Sequence, residues 1–175
     1  KEVFMKRLIL LSMCCLAGIF MANAQKFALI DMEYIMENIP AYQRANNELE
    51  LASQQYQKAI EAKMKEAETL YTAYQKASAT LSATQRTQKE EAIIAKEKEA
   101  AELRQKYFGP EGEMAKKEEA LITPIQNQIY EAVKQISQQR GYDAVIDRAS
   151  ATSIIFASPR IDISNEVLSK LGYSN

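Results

Sequence analysis

Ala41 to Leu81 is a run of 41 residues without a glycine or a proline, made largely of Ala, Glu, Lys, Gln and Leu. These are strong helix formers, so the run predicts one long helix. Ala45, Leu49, Ala52, Tyr56, Ile60, Ala67, Tyr71 and Tyr74 recur along it at steps of three, four or seven. Leu49, Ile60 and Tyr71 are spaced by eleven, as are Ala45, Tyr56 and Ala67. An eleven-residue period keeps a stripe on one face of a nearly straight helix. A long straight rod with a narrow, alanine-rich seam needs a second rod against it.

The sequence supplies one. Ser78 to Thr84 breaks the stripe, and Ser82 with Gln85 three residues later forms a capping-box pattern. That places a hairpin tip there. A second helical stretch starts at Ala83, with Ile93, Ala100, Leu103 and Tyr107 at helical spacing. Gly109-Pro110-Glu111-Gly112 interrupts it, and helix resumes through Met114, Leu121, Ile122, Ile125, Ile129, Val133 and Ile136. Ala41 to Leu81 and Ala83 to Thr123 are both 41 residues long, so the second arm returns to the base near Pro124, a further kink site. Gly141 is placed to close the helix.

The ends of the chain read differently. Lys26 to Asp31 and Tyr142 to Asp147 are short apolar runs expected to be strands, and Ser153 to Ala157 (SIIFA) is expected to be a third. Met32 to Ile39 reads as a short helix, with Pro40 opening the next one. Ser164 is expected to cap a last helix, Asn165 to Leu171, stopped at Gly172. The fold class is therefore α+β, predominantly α: a long antiparallel hairpin, residues 41–123, on a small β-rich body from residues 25–40 and 124–175. Three short strands with open edges are a liability unless copies join into a shared sheet or barrel. The body is thus expected to form a homo-oligomer through Phe27, Leu29, Ile30, Val145, Ile146, Ile154, Ile155 and Phe156.

The first 24 residues read as an address. Lys6 and Arg7 precede an uncharged apolar run of 14 residues, Leu8 to Met21, and Ala22-Asn23-Ala24 offers a small-residue cleavage site. The run is shorter than the ~20 residues that span a bilayer. The expectation is a cleaved export signal with Lys1 to Phe4 upstream of its start. Removing it takes both cysteines, Cys14 and Cys15, with it. The chain from Gln25 keeps 151 residues, 19 basic and 22 acidic once Lys1, Lys6, Arg7 and Glu2 are removed, a net charge of −3.

Composition excludes most catalytic classes. There is no histidine, which removes Ser-His-Asp triads and imidazole metal sites. None of the 5 glycines sits in a nucleotide-cradling motif. Neighbouring carboxylates such as Glu90-Glu91 and Glu118-Glu119 point about 100° apart on a helix, so they do not converge on a metal. The near-neutral charge balance gives no reason to expect nucleic acid as a partner. The expectation is no enzyme, no cofactor and no metal.

The arms hold the residues with a choice of roles. Tyr56, Tyr71 and Tyr74 follow the stripe and belong in the seam, with Tyr74 also a candidate for contact with a partner. Met64 lies off the stripe, Ile94 is adjacent to the seam residue Ile93, and Phe108 and Met114 flank the GPEG break. These four are candidates for soft, adaptable contacts. Between Lys76 and Lys89 lie Lys76, Arg86 and Lys89 and no acid, giving a weakly positive tip suited to an anionic membrane or an acidic partner. The GPEG break is a candidate hinge.

KFALIDMEYIMENIP at Lys26–Pro40 and YDAVIDRASATSIIFASPRIDISNEVLSKL at Tyr142–Leu171 resemble the ends of the Skp/OmpH family of periplasmic chaperones. The resemblance implies a trimer with a β-barrel body and three tentacles around a cavity. It implies ATP-independent holding of unfolded outer-membrane β-barrel precursors. The net charge of −3 departs from the strongly basic relatives best known in that family, so attraction to acidic surfaces should be weaker here. No lipopolysaccharide-binding residues can be matched. The competing expectation is an envelope adaptor that uses the hairpin as a docking rod.

Overall fold

The computed structural model describes residues 25–151 and 153–173. The expected export signal with its upstream residues, residues 1–24, lies outside the described residues. Strand β1 (Phe27–Ile30) leads into helix α1 (Met32–Glu37) and the 38-residue helix α2 (Pro40–Ala77). A 3-10 turn at Ser78–Thr80 precedes α3 (Ala83–Phe108), and α4 (Glu113–Arg140) follows the GPEG break. Strand β2 (Ala144–Asp147), a 3-10 turn at Pro159–Ile161 and helix α5 (Ser164–Lys170) complete the chain.

The helix ends are set by local chemistry. Pro40 opens α2 at a position where its missing N–H costs nothing. At the hairpin tip the capping box forms as the sequence predicts. The Ser82 hydroxyl accepts the Gln85 N–H, and the Gln85 side chain accepts the Ser82 N–H at 2.9 Å. Gly141 ends α4 with φ 68, in the left-handed region that glycine tolerates. Gly109 and Gly112 serve close approach instead. A Cβ would lie 2.4 Å from the Gln105 carbonyl at Gly109 and 2.7 Å from the Tyr107 carbonyl at Gly112. Helix α4 continues through Pro124 without ending, so one helix belongs to both arm and base.

β1 and β2 pair in parallel, with Phe27 opposite Ala144 and Ile30 opposite Asp147. The whole hairpin is thus an insertion in one crossover between neighbouring parallel strands. On the other side of β1, Leu29 bridges to Asp162, and the Ile163 N–H donates to the Leu29 carbonyl at 2.9 Å. Alternate side chains of the sheet face the helices. Ala28 and Ile30 enter a core with Ile35, Ile39, Ile129, Ile136 and Val167. Val145 packs against this core.

The expected third strand is not formed. Residues 153–158 carry no ladder; the free flank of β1 is taken by Asp162 and Ile163, and the segment does not pair with the outer edge of β2. The apolar run Ile154-Ile155-Phe156 is left without a strand partner among the described residues. Ile155 is 100% exposed and Phe156 is 85% exposed. The expected role of Ser164 also changes. It does not cap α5: the helix begins at Ser164 itself, after Ile163, and the Ser164 N–H donates to the Asp162 carboxylate at 2.9 Å. Its buried hydroxyl accepts the Asp31 N–H at 2.9 Å, tying α5 to the junction of β1 and α1.

The carboxyl ends of the strands are latched together. Arg148 reaches Asp31 at 3.0 Å and Asp162 at 3.5 Å. Asp147 accepts the N–H groups of Met32 at 3.1 Å and Ala149 at 3.0 Å. Burial pushes the Asp147 carboxyl up, but these bonds outweigh it and leave the group below its usual range.

The base, rather than the arm, should therefore hold most of the fold's burial. Ile129 is wholly buried at its centre. Ile129→Ala should cost about 2–5 kcal/mol, read from urea unfolding followed by circular dichroism at fixed protein concentration. A loss below about 1 kcal/mol would place the core elsewhere.

Candidate functional site

The arm is built on little apolar burial. Its buried seam residues are Ala52, Ile60 and Ala67 from α2 and Ile93 and Ala100 from α3. Small residues let the two helices approach closely but bury little area each. The hairpin is held instead at separate levels. Toward the base, Tyr56 stacks on Tyr107 with ring centroids 4.1 Å apart and planes 6° from parallel. Phe108 meets Tyr56 edge-on at 6.3 Å. This cluster fastens the end of α3 to α2 just before the GPEG break.

Midway along the arm four charges cross between the helices. Lys63 reaches Glu99 at 3.0 Å and Lys96 reaches Glu66 at 3.0 Å. Within each helix Lys63 pairs with Glu66 at 3.5 Å and Lys96 with Glu99 at 3.1 Å. The bond from Lys96 holds the Glu66 carboxyl low, and the bond from Lys63 does the same for Glu99. The bond to Glu66 raises Lys96. Near the tip the Tyr74 hydroxyl donates to Glu90 across the hairpin, and that bond raises the phenol. The Lys117–Glu48 pair ties α4 to α2 nearer the base.

The two faces of the arm differ. The charge quartet lies on one. The other carries an open groove, formed where two shallow cavities meet at Met64 and Arg104. Met64 is 50% exposed, Phe108 42% and Ile94 61%. Ile94, Ala101 and Phe108 are spaced by seven, which sets them on one side of α3. The structure thus brings Met64 and Phe108 to one groove and places Ile94 on the same side of α3. Met114 is partly buried beyond the break, and Tyr74 is partly buried and tied to Glu90. Tyr71, expected in the seam, is half-exposed and lines the groove. Tyr71 stands one turn past the seam residue Ala67 and on its groove side, so the ring flanks the seam instead of entering it.

Lys76, Arg86 and Lys89 are exposed around the tip and form no ion pair among the described residues. In the base, Leu29 and Ile30 are buried within the single chain, Val145 and Ile154 are partly buried, and Phe27, Ile146, Ile155 and Phe156 are exposed. The outer edge of β2 pairs with nothing among the described residues. No group of three carboxylates or other ligands there is close enough to hold a metal ion.

Sequence reasoning missed the charge quartet and the Tyr56–Tyr107 stack. The quartet left a readable trace: Lys-x-x-Glu occurs at Lys63–Glu66 and again at Lys96–Glu99, on the two sides of the tip.

A hairpin inserted between two parallel strands is the arrangement to compare with known proteins. The sequence pattern of the outer membrane protein (OmpH-like) family matches residues 26–171. The chain belongs to the OmpH-like family. A relative, the chaperone protein Skp of Yersinia enterocolitica, is 25% identical over 156 residues, 89% of this chain and 92% of the relative. The crystal structure of a Caulobacter crescentus CB15 protein described as OmpH-like superposes with a TM-score of 0.65. That likeness covers 84% of this chain and 83% of the other at 14% identity, and it speaks for the fold alone.

The quartet gives the arm of this OmpH-like protein a defined pH response. Glu66 and Glu99 are lowered in the folded chain, so their contribution is present above their ordinary value of 4.5 and is lost as pH falls through the folded values. Lys96 is raised, so its contribution is complete below 10.5 and is lost above that. Melting followed at 222 nm should show a drop in Tm as pH is lowered from 6 through about 4. The drop should be smaller in Glu66→Gln/Glu99→Gln. An equal drop in both proteins would remove the quartet as its cause.

Proposed function

We propose that this protein is an ATP-independent holdase of the periplasm that keeps unfolded outer-membrane β-barrel precursors from aggregating. The observation that carries the reading is the arm: large apolar side chains, Met64, Tyr71, Ile94 and Phe108, stand exposed beside a seam filled largely with alanine. A helix pair made only to be a rod would bury its largest apolar groups and expose its smallest. Family membership and the resemblance to a protein named chaperone Skp support the same reading.

Several copies acting together suit this task. The open edge of β2 and the exposed Phe27, Ile146, Ile155 and Phe156 are the surface on which copies join. The resemblance implies three. Arms standing on a common base then surround one guest, and each contact can be weak because the others raise its effective concentration. Release needs only a stronger competitor, such as insertion into the membrane. The positive tip, Lys76, Arg86 and Lys89, is the part suited to touch an anionic membrane.

The test is dilution of a urea-unfolded β-barrel precursor into buffer without nucleotide, with aggregation followed by light scattering. Suppression should be complete near stoichiometric amounts. Ile155→Asp/Phe156→Asp should reduce the particle mass, measured by sedimentation, and weaken suppression by roughly 10²-fold or more through lost avidity. An unsuppressed aggregation curve would favour the docking-rod alternative. Full suppression by a monomeric variant would remove the shared base from the mechanism.

A further inference from the structure

The faces of the arm differ in charge pairing as well as in shape, and this points to which segments of a guest the arm takes. On the quartet face, Lys63, Glu66, Lys96 and Glu99 satisfy one another. On the groove face, Glu61, Glu68 and Glu97 line the cavities and form no ion pair among the described residues. One cation, Arg104, shares the groove and is likewise unpaired, leaving three acids against one base. The floor between them is apolar, supplied by Met64, Tyr71 and Phe108.

We infer that this groove docks an extended, apolar segment of an unfolded chain that carries lysine or arginine side chains. The inference rests on the holdase reading and deepens it by naming the guest segment and the face that receives it. From Gln57 to Tyr71 the groove follows α2 for about 21 Å at 1.5 Å per residue. An extended strand rises about 3.3 Å per residue, so about six residues fill it. Alternate side chains of such a strand point to opposite sides. One set settles on Met64, Tyr71 and Phe108, while flanking cations meet the unpaired carboxylates. Met and aromatic surfaces accept many apolar shapes, so shape selectivity is low and charge supplies the preference. The same rim repels segments rich in Asp and Glu, although the positive tip favours them.

The experiment uses the full exported chain and two fluorescent seven-residue peptides with the same Leu and Tyr positions, one flanked by Lys and the other by Glu. Anisotropy at low salt should show the Lys peptide binding roughly tenfold tighter. The preference should vanish in 0.5 M salt and in Glu61→Gln/Glu68→Gln/Glu97→Gln, which circular dichroism should show to be as helical as the parent. A photo-crosslinker replacing Tyr71 should capture the Lys peptide, and one replacing Thr69, outside the groove, should not. Equal or reversed preference, equal capture at Thr69, or capture by Tyr71 of another copy's arm instead of peptide would overturn the inference. Suppression of precursor aggregation is measured on the same proteins. If it persists without peptide preference, the groove assignment falls and the holdase reading stands. If it is absent altogether, both fall.

Discussion

Parallel pairing of Phe27–Ile30 with Ala144–Asp147 brings together two segments more than a hundred residues apart, and the rest of the molecule hangs from that closure. Parallel neighbours need a crossover, and here the crossover has been drawn out into the hairpin. The pairing sets both feet of the arm in one core, with Ile30 on one strand and Ile129 and Ile136 on the returning helix. Arg148 and Ser164 add polar ties at the same end, joining the strand ends to α1 and α5. Closing so long a loop costs entropy that grows only slowly with length. A long arm is therefore little harder to close than a short one.

Away from this base the arm has a different economy. Alanine at its seam permits close approach but gives modest burial, so cohesion comes from discrete fastenings. Aromatic stacking holds the level of Tyr56 and Tyr107, four crossed charges hold the middle, and Tyr74 with Glu90 holds the end near the tip. Exposed ion pairs are individually weak, and a network is worth more than isolated pairs. Because alanine fills the seam, larger apolar groups at Met64, Tyr71, Ile94 and Phe108 remain outside it. The packing choice that makes the rod slender is the same one that leaves large apolar side chains exposed on it. That coupling connects the fold to the proposed role in holding other chains.

The long helices were legible because their signal is periodic and local. The capping box at Ser82, the glycine at Gly141 and the break at Gly109 each mark a boundary by chemistry that acts within one turn. The body was harder to read. Ile154-Ile155-Phe156 has the composition of a strand, but it joins no ladder: the place beside β1 goes to Asp162 and Ile163 from farther along the chain, and the outer edge of β2 stays open. Ser164 has the composition of a cap, yet its hydroxyl serves Asp31 across the core. In both cases the outcome turned on long-range pairing, made or not made, and sequence spacing carries no trace of it. On the arm, the exposure of Met64 was legible from its place off the stripe, that of Ile94 from its place next to Ile93 and that of Phe108 from its place beside the GPEG break. That of Tyr71 was not, because a ring one turn past a seam residue can flank the seam instead of entering it.

The central claim is that the arms hold a guest that stays unfolded. Amide hydrogen exchange of a β-barrel precursor, measured while it is bound to this protein, tests it most directly. The account predicts a soluble complex in which guest amides exchange nearly as fast as in an unfolded chain, while the amides of residues 27–30 and 125–136 of the base stay protected. Native-like protection throughout the bound guest would contradict it.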